Sequence, residues 1–461
     1  MKSDENNLLL VESVDSVDVL NAEFYGRFPF PWSTAKFDYL HDHEFNTVML
    51  NQAIGDWKLR TVPADAKIWV AGCGTNQAIF TALKFPHASV LGSDVSPTSL
   101  EICATTAKEL GIKNLELKQE SLNHVSYAER FDYLICTGVI HHNAEPQITL
   151  ERLARALKPT GVMELMVYNR FHWIIPVAFQ QAIRMLGEGR GEVDFETDLS
   201  VARKIIDDFP AGLLLSGYLG RYDGDSPESM IADELLQPVL HSYTVESLAD
   251  MAEACGLEMV LPCLNQFDKL TGNFSWNMNF QDASLKQTYD SLPDRTRWQI
   301  ANLLLLDSSP MLWFYLRHTG TERKTERQVC EEFLETIFVR ATTTQSNYLR
   351  DGEGKYFLSP NTVPYPIAPP EPAVRKIADA VDGKSTMREI FARLGIEPDF
   401  QNANGARMRL TTPQFPYLKA VRGGDDRPTT VDDAETARLE GLKLKKFKSV
   451  APKAVKIPRG D

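Results

Sequence analysis

The stretch "IWVAGCGTNQA", Ile68 to Ala78, decides the fold. "AKIWVAG" reads as a buried strand, and "QAIFTALKF" behind it carries a helical period. Gly72 and Gly74 lie between them, where glycine lets the backbone approach a ligand that a Cβ would block. A dinucleotide needs a third glycine, so that a helix N-terminus meets its pyrophosphate. Three residues after Gly74 this chain has Gln77, preceded by Asn76. Their amides suit a zwitterion better than a phosphate, and asparagine tolerates a left-handed turn better than most residues.

The alternation continues outward. "ASVLGSDV" reads as a second strand, followed by the helix "SPTSLEICATTAKELG" with Ser96 as cap, Pro97 in the first turn and Gly111 as stop. "LELKQES", "FDYLICTGV" and "VMELMVYN" are further strands, with the helix "ITLERLARALKPTG" before the last, stopped by its proline and glycine. Alternating strands and helices predict an α/β fold with a parallel sheet, whose ligands bind at the carboxyl ends of the strands. Four such ends point into one crevice: the glycine turn, Asp94 with Val95, Glu120 with Ser121, and Thr137 with Gly138. A carboxylate about twenty residues past the turn can accept both hydroxyls of a ribose.

Beyond Asn169 the pattern changes. Residues 170–242 read as a helical insert, and residues 243–320 as the completion of the sheet. The completing part holds the helix "YTVESLADMAEACG", with Thr244 as cap and Gly256 as stop, and the strands "LEMVLPCL" and "MLWFYLRH". With a lid segment at 1–55 and a cofactor-binding core at 56–169, this leaves an accessory module at 321–420 and a tail at 421–461. The module contains "PNTVPYPIAPPEP", read as an extended linker, and two amphipathic helices. The tail segment 443–459 holds seven Lys/Arg and no acid, as a mobile tail would.

Residues 68–169 resemble a class I S-adenosylmethionine-dependent methyltransferase, through "VAGCGTNQA", "VLGSDVSPTSLEIC", "KQESL", "FDYLICTGVIHHNAEP" and "LARALKPTGVMELMVYN". The resemblance implies a doubly wound, seven-stranded, mostly parallel Rossmann-like sheet. It implies S-adenosyl-L-methionine as cofactor and S-adenosyl-L-homocysteine as product. It also implies that Gly72, Cys73 and Gly74 hold the methionine part, Asp94 and Val95 the ribose, and Glu120 and Ser121 the adenine. "AGCGTNQ", "GVIHH" and the long C-terminal extension are similar to a bacterial subgroup. That subgroup includes tetratricopeptide-fused methyltransferases and lysine methyltransferases acting on rickettsial outer-membrane proteins. Val70 stands where many class I enzymes have an acid, leaving Asn76 or Gln77 to compensate. An Asn/Asp-Pro-Pro-Tyr/Phe signature is missing after strand four, which counts against a DNA adenine methyltransferase.

Methyl transfer asks mainly for orientation, and for a base when the acceptor arrives protonated. His141 and His142, just past strand four, are the candidate bases, set against a packing or capping role. "FYGRFPFPW", residues 24–32, reads as a lid that brings Tyr25 near the methyl group, or as a staple on the sheet. Tyr168, Asn169, Asp233 and Tyr243 are candidate substrate-lining residues.

A net charge of -13 argues against a protein that wraps nucleic acid. The N-terminus lacks a signal-peptide pattern, and apolar runs are too short to span a bilayer. Six cysteines without CxxC pairing suggest neither a metal site nor a disulfide framework, so a cytoplasmic protein is expected. The favoured function is methylation of a protein or peptide amine. Its alternatives are O- or N-methylation of a small molecule, and a non-catalytic cofactor-binding regulator or scaffold. A homodimer stays open.

Overall fold

The computed structural model describes residues 14–31, 35–186, 194–209, 212–265, 267, 274–369 and 371–421. Residues through Val421 form one compact unit. The expected basic tail lies outside the described residues from position 422 onward.

The first part of the chain folds as α1 (Val14–Arg27), β1 (Asp38–Leu40), α2 (Phe45–Ala53), β2 (Lys67–Ala71), α3 (Gln77–Lys84), β3 (Ser89–Asp94), α4 (Pro97–Leu110), β4 (Leu115–Gln119) and β5 (Phe131–Thr137). There follow α5 (Pro146–Ala156), β6 (Leu157–Val167), α6 (Arg170–Leu186), α7 (Phe195–Asp208), α8 (Leu214–Leu219), α9 (Glu228–Leu235), α10 (Val245–Ala254), β7 (Leu257–Pro262) and β8 (Leu312–His318). Helices at Ala283–Ser291 and Asp294–Leu305, unmarked by the sequence reading, precede β8.

The main sheet has seven strands among the described residues, in the order β4-β3-β2-β5-β6-β8-β7. β2 to β6 run parallel, and β8 pairs antiparallel with both β6 and β7. The buried run "IWVA" makes β2 an interior strand, covered on both faces as parallel sheets require. From β2 the chain proceeds first to β3 and β4 on one side, then to β5 and β6 on the other, which opens a crevice at the carboxyl ends.

Local chemistry sets the helix ends. Ser96 caps α4 by accepting from the Ser99 amide, with Pro97 at the first turn and Gly111 in the left-handed conformation at its end. Thr244 accepts from the Ser247 amide at α10 in a reciprocal capping box. α5 stops at Ala156, earlier than expected, and Pro159 and Gly161 already belong to β6. A helix-interior proline would have removed a hydrogen bond and met the preceding turn.

The insert gathers into a small helical cap. Phe179, Ile183, Leu199, Ile231 and Leu235 share a buried cluster with Phe24 and Phe28 of the N-terminal segment. α1 and the insert therefore form one body above the crevice.

The proline-rich stretch expected as a linker is instead a strand through its first half. β9 (Phe338–Arg340), β10 (Thr343–Arg350) and β11 (Tyr356–Tyr365) follow β8. β11 is the edge of a three-stranded sheet in which β1 pairs with β10. Extended backbone suits proline, and an edge strand has outward-facing positions where a missing N–H costs nothing. Residues 326–421 pack onto the core rather than standing apart. Phe333 and Phe338 each lie 5.7 Å from the Trp57 ring. The Gln52 side chain donates to the Thr411 and Leu418 carbonyls and accepts from the Ala420 amide. A buried ion network joins Arg297, Asp294, Glu326 and Arg407. Among the described residues no helix is long and apolar enough to cross a membrane, and no cluster of three or more His, Cys, Asp or Glu side chains is placed to hold a metal ion.

Candidate active site

The carboxyl ends of the strands open on a cavity of about 1590 Å³. Its floor is the glycine turn. Gly72 has φ +74°, and a Cβ there would come within 2.4 Å of the Val139 side chain. The Gly72 and Cys73 amides donate to the Ser93 carbonyl at 2.8 and 2.9 Å, tying the turn to β3. Gly74 has φ +53°, and a Cβ there would sit 3.1 Å from the Phe30 carbonyl oxygen. Its amide donates to Asp94 Oδ2 at 2.9 Å, while Oδ1 accepts from the Ser96 amide at 2.9 Å. Burial pushes the Asp94 carboxyl above its ordinary range, opposed by those amide bonds.

Asn76 begins α3 without using its side chain as a cap, and it lines the cavity. The Gln77 amide donates to Thr137 Oγ1 at 2.6 Å. Glu120 accepts from the Tyr127 hydroxyl on both oxygens and pairs with Lys118 at 2.5 Å. Val70 is completely buried in the apolar layer. An acid there would be desolvated in the core.

Of the expected cofactor residues, Gly72, Cys73, Gly74, Asn76, Gln77, Asp94, Val95, Glu120, Thr137 and Gly138 all line this cavity. Ser121 is not among the lining residues; its hydroxyl donates to Asp18 Oδ2 at 2.5 Å and so holds α1 down. The residues present fit S-adenosylmethionine. Asp94 spends one lone pair of each oxygen on an amide and keeps the others for two ribose hydroxyls. The turn offers backbone and amide groups rather than a cationic phosphate grip.

The other end of the cavity lies beneath α1 and the insert. Tyr25, His142, Tyr168, Trp173, Asp233 and Glu234 line it. The Gln237 amide donates both to Asp233 Oδ1 and to the Tyr25 hydroxyl at 2.9 Å. Burial, reinforced by the neighbouring Glu234, pushes the Asp233 carboxyl up to about 7. Tyr168 stacks on Trp173 with ring centres 3.6 Å apart.

The histidine pair differs from expectation. His141 is completely buried, is not among the lining residues, and lies 3.7 Å from the Tyr168 ring, centre to centre. Burial holds it well below its ordinary pKa. His142 reaches the wall, with Nδ1 2.8 Å from the Val239 carbonyl, but its Nε2 is covered and without a partner. Burial pulls it down to about 4, so it stays neutral. Neither ring presents a basic nitrogen to the cavity, whereas Asp233, expected only to line it, holds a titratable group there.

Asn169 and Tyr243 are not among the lining residues either. They form a parallel bridge where the insert rejoins the sheet, and Asn169 donates to Ser309 Oγ at 2.8 Å. The lid segment is tied to the turn, because the Phe30 carbonyl accepts from Thr75 N and Oγ1 at 3.2 and 3.1 Å. Trp32 lies outside the described residues. Sequence reasoning missed Asn21, which donates to the His142 carbonyl at 2.8 Å, as well as Gln237 and Trp173. No spacing rule marks them: α1 and α6 bring Asn21 and Trp173 to the cavity from distant parts of the chain, and Gln237 lies buried behind Asp233 and Tyr25, just past the end of α9.

Residues 66–181 match the family model described as a methyltransferase domain. An uncharacterised protein of Synechococcus is 28% identical over 256 residues, which are 52% of this chain and 57% of that protein. A ubiquinone biosynthesis O-methyltransferase of Histophilus somni is 24% identical over 197 residues, 39% of this chain and 78% of that one. The chain spans 57% and 40% of the length of the first two curated relatives it matches. The fold is also that of PKMT2 from Rickettsia typhi in complex with AdoHcy, with a TM-score of 0.50 and 17% identity over 83% of this chain and 76% of that chain.

Proposed function

We propose that this chain, whose residues 66–181 match the family model described as a methyltransferase domain, is a class I S-adenosylmethionine-dependent enzyme that methylates the nitrogen of an amine carried by a protein or peptide. The wall of the acceptor end supports this reading most. Asp233 and Glu234 stand among the rings of Tyr25, Tyr168, Trp173 and Tyr218. Arg221 beside them is already paired with Glu234. Negative charge and aromatic faces attract an ammonium group and disfavour an anionic acceptor. At about 1590 Å³ the cavity also exceeds the ~300–1,000 Å³ of ordinary small-ligand pockets, leaving room beside a cofactor for a side chain and its neighbours.

S-adenosylmethionine supplies a methyl group already activated on a sulfonium. The chain has to orient an amine lone pair, exclude water and remove one proton. Orientation alone can supply ~7–11 kcal/mol. Asp233 is the proton acceptor in this reading, since a carboxyl near 7 exchanges protons readily at neutral pH. Gln237 fixes Oδ1, which leaves Oδ2 to take the proton from the incoming ammonium. Tyr25 shares that Gln237 amide and shapes the wall.

The experiment is to treat cell lysate with the enzyme and methyl-labelled cofactor and to analyse it by mass spectrometry. Label on protein amines is expected; label confined to small molecules would sink the polypeptide acceptor. That second outcome belongs to small-molecule O- or N-methylation. It is favoured by one observation, the closure of α1 and the insert over the acceptor end through a shared apolar cluster.

A further inference from the structure

One side of the cavity, its arm, is lined along α3 by Gln77, Phe80, Thr81, Leu83 and Lys84. Seven residues of helical rise give this arm a length of ~10 Å. Its opposite wall is the face of the main sheet, where Tyr133, Glu164, Trp313 and Tyr315 line it. Glu164 of β6 sits beside Tyr315 of β8 in register.

Glu164 accepts from the Tyr133 hydroxyl, and on Oε1 from Trp313 Nε1 at 2.8 Å. It lies deep in the molecule yet is only half-buried, because its remaining surface faces the cavity. With the Cys263 thiol as a third donor, three of the roughly four lone-pair positions of the carboxylate are occupied, so one acceptor position remains. Burial pushes this carboxyl up, while the Tyr133 bond, the charge of Lys84 and the Trp313 bond favour its ionised form. A carboxylate framed by three aromatic rings is a setting that desolvates and holds a cation.

We propose that this arm is a second binding subsite, in which Glu164, Tyr133, Tyr315 and Trp313 hold an alkylammonium group of the acceptor. The assignment rests on the reading of the acceptor as an amine. The group could belong to a lysine side chain or to a free aliphatic di- or polyamine, which share this chemistry.

The test is calorimetric titration of the full chain with n-butylammonium, in parallel with S-adenosylhomocysteine. Wild type should bind n-butylammonium saturably. Glu164→Gln should weaken that binding at least tenfold and leave S-adenosylhomocysteine affinity unchanged. Lys84→Met, which removes a nearby positive charge, should tighten amine binding severalfold, a gain that a damaged fold does not produce. Absence of saturable binding by wild type, wild-type affinity in Glu164→Gln, or unchanged or weaker binding by Lys84→Met would each overturn the subsite. Failure of wild type to bind S-adenosylhomocysteine would instead strike the methyltransferase reading, because the amine titration is run without it. Titrations with 1,4-diaminobutane and with a short lysine-containing peptide separate the two sources. Whichever shows the Glu164 dependence supports the subsite, and dependence in neither overturns it.

Discussion

Replacing Asp94 by alanine tests the cofactor site most directly. Each Asp94 oxygen already accepts one backbone amide, from Gly74 and Ser96, and each has a lone pair left for a ribose hydroxyl. Hydrogen bonds to a charged group contribute ~1.5–3 kcal/mol each, so two lost bonds remove ~3–6 kcal/mol. That corresponds to ~10²–10⁴-fold weaker binding of S-adenosylhomocysteine. Titration calorimetry reads the change. Thermal unfolding gives a second measure, since ligand at 100 times the wild-type Kd stabilises wild type by ~2.7 kcal/mol. With Kd weakened 100-fold the same concentration contributes only ~0.4 kcal/mol. Circular dichroism without ligand separates lost binding from lost fold, because alanine also orphans two amides. In wild type, acidification should weaken binding. Burial raises the Asp94 carboxyl, so its acceptor form is lost at a higher pH than an exposed aspartate would show. A folded Asp94→Ala variant binding within threefold of wild type would refute the ribose assignment.

Three other expectations follow from the geometry. Asp233→Asn should lower kcat/KM by ~10²–10⁴-fold. In wild type the rate should climb as pH rises through about 7 and Asp233 becomes ionised, a limb the variant should lack; an unchanged pH profile would remove Asp233 from proton transfer. Glu326→Ala should destabilise the full chain by ~3–5 kcal/mol in denaturant unfolding, because Arg297 and Arg407, 1% and 2% exposed, would lose a buried counter-charge. A loss below ~1 kcal/mol would show that the network does not join the two parts energetically. Gly72→Ala should weaken cofactor binding, since its Cβ would meet Val139 at 2.4 Å, and adding Val139→Ala should restore part of it. No rescue in the double variant would locate the defect in the positive φ alone.

Much of the core was legible because it rests on local rules. Apolar runs covered on both faces marked β2, β3, β5 and β6, and side-chain caps at Ser96 and Thr244 fixed helix starts within one turn of chain. The turn, Asp94, Glu120 and Thr137 sit at strand ends, so ordering the strands was enough to bring them to one cavity. Outside the alternating core the signals weakened. The prolines of "PNTVPYPIAPPEP" announce extended backbone, but only the partner β10 turns extended chain into a strand.

What the sequence determined by itself is a parallel α/β core with a glycine turn suited to a zwitterion and a ribose, since periodicity and turn chemistry act over a few neighbouring residues. The tertiary structure alone decided the acceptor end. His141 and His142 stand side by side in the chain, yet packing against Tyr168 and the Val239 carbonyl buries both and leaves them neutral. Asp233, more than ninety residues away along the chain, becomes the titratable wall because α9 carries it under α1 beside Gln237 and Glu234. Desolvation and neighbouring charge set proton affinity, and both are properties of the assembled interior, which no local stretch of sequence encodes.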